Sequence, residues 1–486
     1  MAGALSAEAG PVRPEWDRDA ALIGGRWVRP AGHAVTEVEN PATEAVIGHA
    51  ADCGVAEVDA AVHAAAAAFP GWSALAPSVR VATLEGLVAA LDTRYDLLVQ
   101  TTIAEVGAPL SVARAAHIDT GLAVLRGYLD AARELAWEEH IGNSLVIREG
   151  IGVAACITPW NYPFYQVLAK VGGALVAGAT VVLKPSELTP LSAYLLADAV
   201  VEAGLPPGVL NLVPGRGRVV GEALAAHPLV DMVSFTGSTD IGSRVSAVAA
   251  ETVKRVGLEL GGKSASIVLE GADLDPAVRT TVNACMLNSG QTCTAWSRLL
   301  VHRADLDRAV AIARERAEGL ALGDPTQPRT EVGPVASAAQ RHTVIGFIER
   351  ALAAGATLVA GGTDRPRGLP VGHYVRPTVL AGAAPDAEIV REEVFGPVLV
   401  IEAYDTEDEA LAMANGTDYG LAGAVWGPDH GASVAFARRM RTGQVDVNGG
   451  AFNPVAPFGG YRRSGNGREL GRWGIEEFLE TKAIQL

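Results

Sequence analysis

The sequence predicts an α/β protein built from two α/β units, of which the first contains a parallel sheet. From about residue 150, short apolar runs rich in β-branched residues alternate with single helical stretches, and the alternation resumes after a glycine-flanked stretch at 257–262. Strands separated by single helices form right-handed βαβ units and hence parallel sheets. The chain has 486 residues, which is too long for one ordinary core and indicates more than one domain.

The segment before residue 135 is predicted to be mainly helical, because the stretches 55–72 and 79–107 have apolar residues at helical spacing. Two other segments, 140–150 and 481–486, are predicted to be short strands without an evident local partner. An exposed strand edge favours association with another chain. We therefore expect these two strands to pair with each other or with a second subunit.

Between residues 147 and 253, four predicted strands are each followed by one predicted helix. The strand and helix pairs are 147–160 with 163–178, 179–186 with 188–206, 208–215 with 218–227, and 230–238 with 239–253. A second unit follows the short strand in "GLELGG", where we place the boundary. Its alternation resumes after "LELGGKSASIVLEG", residues 258–271, with strands and helices predicted at 276–290, 297–302, 305–320, 338–355, 397–404, 406–416, 424–427 and 444–450.

Composition and charge exclude several classes of protein. A formal charge of −16 argues against nucleic acid or an anionic membrane surface as a partner. Residues 1–20 have no basic start followed by an apolar run, so no secretory signal is predicted. The longest apolar run, 171–183, is too short for a membrane span and is interrupted by glycine. Four cysteines are too few for a disulfide framework, so a cytoplasmic location is expected.

The stretch "NSGQTCTA", residues 288–295, contains Cys293 between two threonines. No second cysteine lies at metal-ligand spacing, and no metal site is predicted. A lone cysteine is more often a small buried hydrophobe than a nucleophile, and both interpretations stay open on this stretch alone.

Two polar residues lie in apolar or rigid surroundings. Glu259 falls in an apolar predicted strand, where a buried carboxylate has a raised pKa and can act as a general base. The alternative is a side chain that simply faces water. Asn161 lies between Pro159 and Pro163 in "ITPWNYPF", where its amide could stabilise an oxyanion or merely complete a turn.

Two stretches are candidates for binding a dinucleotide. In "SFTGSTDIG" a strand leads into a helix start at Ser238, which suits an anion or an ordinary helix cap. Lys184 and Glu187 follow a buried strand, where parallel sheets bind ligands, and could hold a ribose or form a surface ion pair. A carboxylate there disfavours a 2′-phosphate, which favours NAD over NADP. The stretch "GRGRVVG", 215–221, is one residue too long for the usual glycine fingerprint.

Seven stretches together resemble the aldehyde dehydrogenase superfamily in order and spacing, over essentially the whole chain. They are "ITPWNYPF", "KPSELTP", "FTGSTDIG", "LELGGKS", "NSGQTC", "EEVFGPV" and "PFGGYRRSGNGRE". The resemblance implies an NAD-binding domain at 1–127 and 151–260, a catalytic domain at 261–465, and a small β oligomerisation arm at 128–150 and 466–486. It also implies NAD, or alternatively NADP, as the cofactor, and a homodimer or homotetramer.

The resemblance also assigns roles to residues. Cys293 becomes the nucleophile and Glu259 the base for hydrolysis. Asn161 and the backbone N–H of Cys293 form the oxyanion hole, and Lys170 lies near the catalytic centre. Cofactor contacts are implied for Ile157, Trp160, Lys184, Glu187, Gly217, Ser238, Leu260, Glu393 and Phe395. The aldehyde tunnel is implied to contain Tyr162, Leu287, Trp296, Phe452 and Phe458.

These roles imply oxidation of an aldehyde to a carboxylic acid through a thiohemiacetal and a thioester on Cys293. Family members that transfer the acyl group to coenzyme A typically lack a glutamate at position 259, so hydrolysis is favoured. The apolar and aromatic tunnel favours an apolar or aromatic aldehyde. The alternatives are a semialdehyde or coenzyme A-acylating dehydrogenase, a cysteine hydrolase or thioesterase, and a non-catalytic binding protein.

Overall fold

The computed structural model describes residues 13–486 and contains two large sheets in which most neighbouring strands are parallel. Residues 1–12 lie outside the described residues. Two predictions fall partly on these residues: the NAD-binding domain that begins at residue 1, and the absence of a secretory signal in residues 1–20. Helices and strands alternate from residue 153 onward, and the predicted α/β class is confirmed.

Residues 21–150 form short strands beside a group of helices. The sequence predicted the helices but not the first four strands, which are three to seven residues long and show no long apolar run. The elements are β1 (Ala21–Ile23), β2 (Arg26–Val28), β3 (Val35–Asn40), β4 (Ala45–Ala51), α1 (Val55–Ser73), α2 (Pro77–Asp92), α3 (Tyr95–Val106), α4 (Leu110–Val112), α5 (Thr120–Glu134), β5 (Glu138–Ile141) and β6 (Ser144–Gly150).

Residues 153–259 follow the predicted alternation of strand and helix closely. The elements are β7 (Val153–Ile157), α6 (Pro163–Ala177), β8 (Thr180–Lys184), α7 (Leu191–Glu202), β9 (Leu210–Leu212), α8 (Glu222–Ala226), β10 (Met232–Thr236), α9 (Thr239–Ala250) and β11 (Arg255–Glu259). A π-helical turn at 217–221 leads into α8, so "GRGRVVG" is a loop that enters a helix.

Residues 265–486 form the second alternating unit and the C-terminal strand. The elements are β12 (Ala265–Val268), α10 (Leu274–Met286), β13 (Arg298–His302), α11 (Leu306–Gly319), α12 (Ala338–Ala353), β14 (Thr357–Ala360), β15 (Thr378–Ala381), α13 (Glu388–Arg391), β16 (Val398–Tyr404), α14 (Glu407–Asn415), β17 (Gly423–Trp426), α15 (His430–Ala437), β18 (Asp446–Val447), β19 (Gly465–Asn466), α16 (Gly471–Glu476) and β20 (Leu479–Gln485).

The first sheet has the strand order β19-β11-β10-β7-β8-β9-β1-β2, and the second has the order β14-β15-β16-β13-β12-β17-β18. In the first sheet, β7, β8, β10 and β11 are parallel neighbours that end at Ile157, Lys184, Thr236 and Glu259. These four residues therefore lie along one edge of the sheet. The carboxyl edge of a parallel sheet is where such proteins bind ligands.

Helix α6 fixes the loop that precedes it. All of its fifteen residues are buried, and it packs against the strands β7 and β8 and against α2, α5 and α7. Because most of its residues are apolar, α6 is stable where neighbouring elements cover it on all sides. The short loop 158–162 is thus held between a buried strand and a buried helix.

Strands β5, β6 and β20 form a separate three-stranded antiparallel sheet. Residues Leu479–Gln485 pair in register with Ser144–Gly150, so the two segments pair with each other, which is one of the two predicted arrangements. Strand β11 ends at Glu259 and β12, in the second sheet, begins at Ala265. These bounds are compatible with the domain boundary predicted near residues 257–262, and the division into domains stays a prediction.

Within residues 13–486, no helix is both long and apolar enough to cross a membrane.

Candidate active site

Cys293 lies where two cavities meet. The first, about 240 Å³, has walls that include Tyr162, Trp296 and Phe458, and we call it the aromatic cavity. The second, about 290 Å³, lies at the carboxyl edge of the first sheet, and we call it the edge cavity. Cys293 lines both cavities and is partly exposed, whereas the other three cysteines are buried.

The turn before Cys293 has an unusual backbone. Asn288 and Ser289 have φ angles of 51° and 58°, in the left-handed region that residues other than glycine rarely adopt. Such residues persist only where the surroundings fix them. The Ser289 hydroxyl donates to the carbonyl oxygen of Gly333 at 2.9 Å, which is one of the contacts that hold this turn.

Asn161 is tied to the same turn by two hydrogen bonds. Its side-chain amide donates to the carbonyl oxygen of Gln291 at 2.9 Å, and the Asn288 amide donates to the Asn161 carbonyl oxygen at 2.9 Å. Asn161 is buried. Since a primary amide has two N–H groups, one N–H of Asn161 remains for a ligand. Asn161 therefore joins its own loop to the turn that precedes Cys293.

The glycine pair of "LELGG" lies where three backbone segments meet. A Cβ atom at Gly262 would lie 2.6 Å from the carbonyl oxygen of Cys293, and one at Gly261 would lie 2.0 Å from Oε2 of Glu393. The Gly262 N–H donates to Oε1 of Glu393 at 3.0 Å. The glycines thus let the chain after β11 approach both Cys293 and Glu393.

Glu259 is the last residue of β11 and its side chain is buried. Neither carboxylate oxygen has a hydrogen-bond partner among the described residues. Burial and the negative charge of Glu469 raise the pKa of Glu259 well above its usual value, while the charge of Lys170 opposes the shift. The alternative of a side chain that faces water is therefore wrong, because the Glu259 carboxyl group is buried.

Lys170 lies on α6 and is buried behind Glu259. Its ammonium group donates to Oε1 of Glu469 at 2.7 Å and to the hydroxyl of Ser234 at 3.1 Å. A buried ammonium group needs an acidic partner, and Glu469 supplies it. The positive charge of Lys170 lowers the pKa of Glu259 and so opposes the effect of burial.

The surroundings of Cys293 favour the thiol over the thiolate. Although its side chain is accessible from the two cavities, protein surrounds it, and burial raises the pKa of the thiol. The negative charges of Glu393 and Glu259 raise the pKa further, while the backbone N–H groups of Thr294 and Cys293 lower it. The thiolate that a nucleophile requires must therefore form with help from a ligand or from a proton acceptor.

The edge cavity brings together five of the residues predicted to bind the cofactor. They are Trp160, Ser238, Leu260, Glu393 and Phe395. Ser238 caps α9, whose first N–H groups point toward this edge, as an anion site requires. Burial raises the pKa of the Glu393 carboxyl to about 7.

The other predicted cofactor residues lie along the same sheet edge, outside the wall of the edge cavity. The Lys184 ammonium group is buried at the end of β8, 3.4 Å from Oε2 of the partly exposed Glu187, and it also donates to the carbonyl oxygen of Pro185 at 2.8 Å. Ile157 pairs in register with Lys184, and Gly217 begins the turn before α8. Since Lys184 is almost completely buried, a plain surface ion pair does not describe it.

The aromatic cavity brings together all five residues predicted to line an aldehyde tunnel. They are Tyr162, Leu287, Trp296, Phe452 and Phe458. The rings of Phe452 and Phe458 pack edge to face, 6.3 Å apart, and the Tyr162 hydroxyl lies 2.8 Å from that of Thr292. The buried ring of His117 packs against Tyr162 at 4.4 Å. Burial lowers the pKa of His117 to about 3, so this ring is neutral.

Comparison with known proteins identifies the family. The model of the aldehyde dehydrogenase family matches residues 27–484. The chain belongs to the aldehyde dehydrogenase family. It is 47% identical to a 3-succinoylsemialdehyde-pyridine dehydrogenase of a Pseudomonas species over 463 residues, which is 95% of this chain and 97% of that protein. It is 42% identical to a putative aldehyde dehydrogenase of Staphylococcus aureus over 462 residues, with the same shares of each chain.

Solved structures of aldehyde dehydrogenases have the same fold. Aldehyde dehydrogenase C of Pseudomonas syringae, a cysteine-to-alanine variant in complex with NAD⁺ and octanal, is 47% identical and superimposes with a TM-score of 0.96 over 98% of each chain. An aldehyde dehydrogenase of Mycobacterium tuberculosis in complex with NAD⁺ is 41% identical, with a TM-score of 0.94 over 97% of this chain and 98% of that one. The resemblance drawn from the seven motifs is confirmed.

Several wall residues of this aldehyde dehydrogenase are absent from the sequence prediction. They are Ala116, Thr120, Tyr165, Gln166, Gln444 and Asp446 in the aromatic cavity, and Gln340 and Thr343 in the edge cavity. Gln444 and Asp446 are two residues apart in "QVDVNGG", a spacing that places both side chains on one face of a strand. That spacing is the signal that could have found them. The individual roles of the predicted site residues stay predictions.

Proposed function

We propose that this protein oxidises an apolar or aromatic aldehyde to the carboxylic acid, with NAD as the hydride acceptor. The observation that carries the proposal is the position of Cys293 at the junction of the aromatic and edge cavities. A sulfur atom there can bond to an aldehyde carbon whose chain lies in the aromatic cavity. The same carbon then faces a nicotinamide ring in the edge cavity.

The edge of the first sheet fits a dinucleotide. The buried ammonium group of Lys184 beside the carboxylate of Glu187 offers a donor and an acceptor to the hydroxyls of a ribose. The start of α9 at Ser238 suits a pyrophosphate, and the carboxyl group of Glu393 suits the second ribose. Because the carboxylate of Glu187 would repel a 2′-phosphate, NAD is favoured over NADP.

The chemistry begins with the addition of the Cys293 sulfur to the aldehyde carbon, which forms a thiohemiacetal alkoxide. The thiol must lose its proton first, and Glu259 and Glu393 are the carboxyl groups nearby. The free N–H of the Asn161 amide and the backbone N–H of Cys293 stabilise the developing negative charge on the oxygen. Bound NAD supplies the acceptor for the hydride that the substrate carbon loses.

Loss of the hydride leaves a thioester on Cys293, and Glu259 completes the cycle. In its ionised form Glu259 takes a proton from water, the hydroxyl oxygen bonds to the acyl carbon, and the bond from carbon to sulfur breaks. The carboxylic acid leaves and the Cys293 sulfur recovers a proton. The overall reaction converts the aldehyde, NAD⁺ and water into the carboxylic acid, NADH and one proton.

The alternative activities are less well supported. A coenzyme A-acylating enzyme has no need of a base at Glu259, whose buried carboxyl group has no other partner among the described residues. A cysteine hydrolase or thioesterase requires no second cavity at Cys293. A non-catalytic protein requires neither the left-handed turn before Cys293 nor the amide of Asn161 beside it.

An aldehyde panel tests the proposal. Purified protein is mixed with NAD or NADP and with aliphatic and aromatic aldehydes, without coenzyme A, and NADH or NADPH is followed by absorbance. We expect NADH with apolar aldehydes and a lower rate with NADP. Strict dependence on coenzyme A would overturn the hydrolytic reaction, and no reduced cofactor with any aldehyde would overturn the activity itself.

The assembly belongs to the same proposal. A homodimer or homotetramer is expected because β20 forms one edge of the small antiparallel sheet, where a further strand or subunit can associate. Sedimentation equilibrium measures the subunit number directly, and a monomer would contradict the expectation. The cytoplasmic location rests on four cysteines that are all free, and it stays a prediction.

A further inference from the structure

The aromatic cavity contains one carboxylate, that of Asp446. Its other walls, among the described residues, are aromatic, aliphatic or neutral polar side chains together with the thiol of Cys293. No lysine or arginine is among them. Asp446 is therefore the side chain that sets the sign of the local charge in this cavity.

The second sheet fixes the position of this carboxylate. Asp446 lies on β18 and pairs in register with Ala424 of β17. On either side, the Gln444 N–H donates to the carbonyl oxygen of Leu421 at 3.1 Å, and the Asn448 N–H donates to that of Val425 at 2.9 Å. The sheet thus fixes the backbone from which the Asp446 side chain reaches the cavity wall.

Asp446 has a neutral partner and lacks a cationic one. The Gln444 amide donates to Oδ1 of Asp446 at 3.1 Å, and Asp446 forms no ion pair within residues 13–486. Burial raises the pKa of its carboxyl group, and the hydrogen bond from Gln444 opposes that shift. The second carboxylate oxygen, Oδ2, remains able to accept a hydrogen bond from a ligand.

We propose that Asp446 determines which aldehydes enter: it rejects an aldehyde whose far end carries a carboxylate and accepts a neutral or cationic far end. This inference rests on the proposed function, since it concerns the substrate of the same cavity. A second negative charge placed in the cavity would lie close to the partly buried Asp446, with no lysine or arginine in the cavity wall to compensate it. Repulsion between two such charges lowers binding by roughly tenfold to a hundredfold.

The test uses three straight-chain aldehydes of equal length, whose far ends carry a methyl group, a carboxylate or a trimethylammonium group. The specificity constant kcat/KM is measured for each with the wild-type protein, with Asp446→Asn and with Asp386→Asn. Asp386 is an exposed residue outside the wall of the aromatic cavity, so its variant controls for the loss of one negative charge.

We expect the wild-type protein to use the carboxylate-bearing aldehyde at least about tenfold less efficiently than the methyl one, with no such penalty for the trimethylammonium one. Asp446→Asn should reduce this carboxylate penalty about tenfold, and Asp386→Asn should leave it unchanged. An unchanged penalty in Asp446→Asn would overturn the inference. So would an equal penalty for both charged aldehydes, which would indicate selection by size or polarity.

Two further results keep this test separate from that of the proposed function. If none of the three aldehydes yields NADH, the proposed function itself fails. If the melting temperature with NAD shows that Asp446→Asn does not fold, the comparison of the three aldehydes with the wild-type protein tests the inference. Equal use of the carboxylate and methyl aldehydes by the wild-type protein would overturn the role of Asp446.

Discussion

The side-chain amide of Asn161 donates to the carbonyl oxygen of Gln291 across 2.9 Å, two residues before Cys293. This bond joins the loop after β7 to the turn that carries the sulfur. The amide of Asn288 returns the contact by donating to the Asn161 carbonyl oxygen. The two hydrogen bonds therefore fix Asn161 relative to the turn that precedes Cys293, and one N–H of the Asn161 amide remains for a ligand.

Replacement of Asn161 by alanine or aspartate should lower kcat by about a hundredfold or more, because each variant removes the donor to the developing oxyanion. Binding of NAD should persist, and the cofactor should still raise the melting temperature. Steady-state kinetics with the best aldehyde of the panel measures the effect. Asn143→Ala, an exposed substitution in the hairpin between β5 and β6, is the matched control. A kcat for Asn161→Ala within a few-fold of the wild-type value would refute the oxyanion role.

Replacement of Glu393 by glutamine should make Cys293 more reactive. The carboxyl group of Glu393 has a pKa raised to about 7, so above that pH it is ionised and raises the pKa of the Cys293 thiol. Without this charge the pKa of the thiol falls and the thiolate fraction rises. The measurement is the rate of iodoacetamide labelling at Cys293 across a pH series in the absence of NAD. The difference between the variant and the wild type should grow as the pH rises through 7, and equal rates throughout would contradict the account.

Glu187→Gln should shift the cofactor preference toward NADP. The glutamine keeps a hydrogen-bonding group beside Lys184 and removes the charge that repels a 2′-phosphate. The ratio of kcat/KM for NAD to that for NADP should fall by about tenfold. Glu318→Gln, an exposed change on α11, should leave the ratio unaltered. A ratio that is the same in Glu187→Gln and in the wild type would mean that another residue selects the cofactor.

The ion pair between Arg298 and Glu402 is expected to contribute to the stability of the second sheet. They form a buried ion pair between β13 and β16, with nitrogen-to-oxygen distances of 2.7 and 3.3 Å. Arg298→Met leaves a buried charge without a partner and should lower the free energy of unfolding by about 3–5 kcal/mol. The double variant Arg298→Met/Glu402→Met should be destabilised less than the single variant. Urea denaturation measures both, and a double variant that is worse than the single one would contradict this reasoning.

The fold was largely predictable because its signals are local. Alternating apolar runs and helices predicted the strands that end at Lys184 and Glu259, and the family motifs identified the residues around Cys293. The strands β1 to β4 were not predicted because they are short and lack a long apolar run. Their extended conformation depends on hydrogen bonds to other strands, which the local sequence does not reveal. The sequence allowed β6 and β20 to pair with each other or with a second subunit, and the structure shows that they pair with each other.

The electrostatics of the site could not be predicted from sequence. Glu259 in an apolar strand could have faced water or the core, and only the packed structure decides between them. The partner of Lys170 is Glu469, which is 299 residues away along the chain. Burial and then the charge of Glu393 raise the pKa of the Cys293 thiol, and a Cβ atom at Gly261 would collide with the Glu393 carboxylate. Such contacts are properties of the tertiary structure.

In the proposed reaction Cys293 carries the acyl group and Glu259 releases it. Glu259→Gln keeps the shape of the side chain and removes its capacity to accept a proton. The variant is mixed with NAD and an apolar aldehyde, quenched, digested and analysed by peptide mass spectrometry. We predict one burst of NADH per active site, followed by very slow turnover, and an acyl mass added to the peptide that contains Cys293. Normal turnover without such an adduct, or an adduct on another residue, would contradict the account.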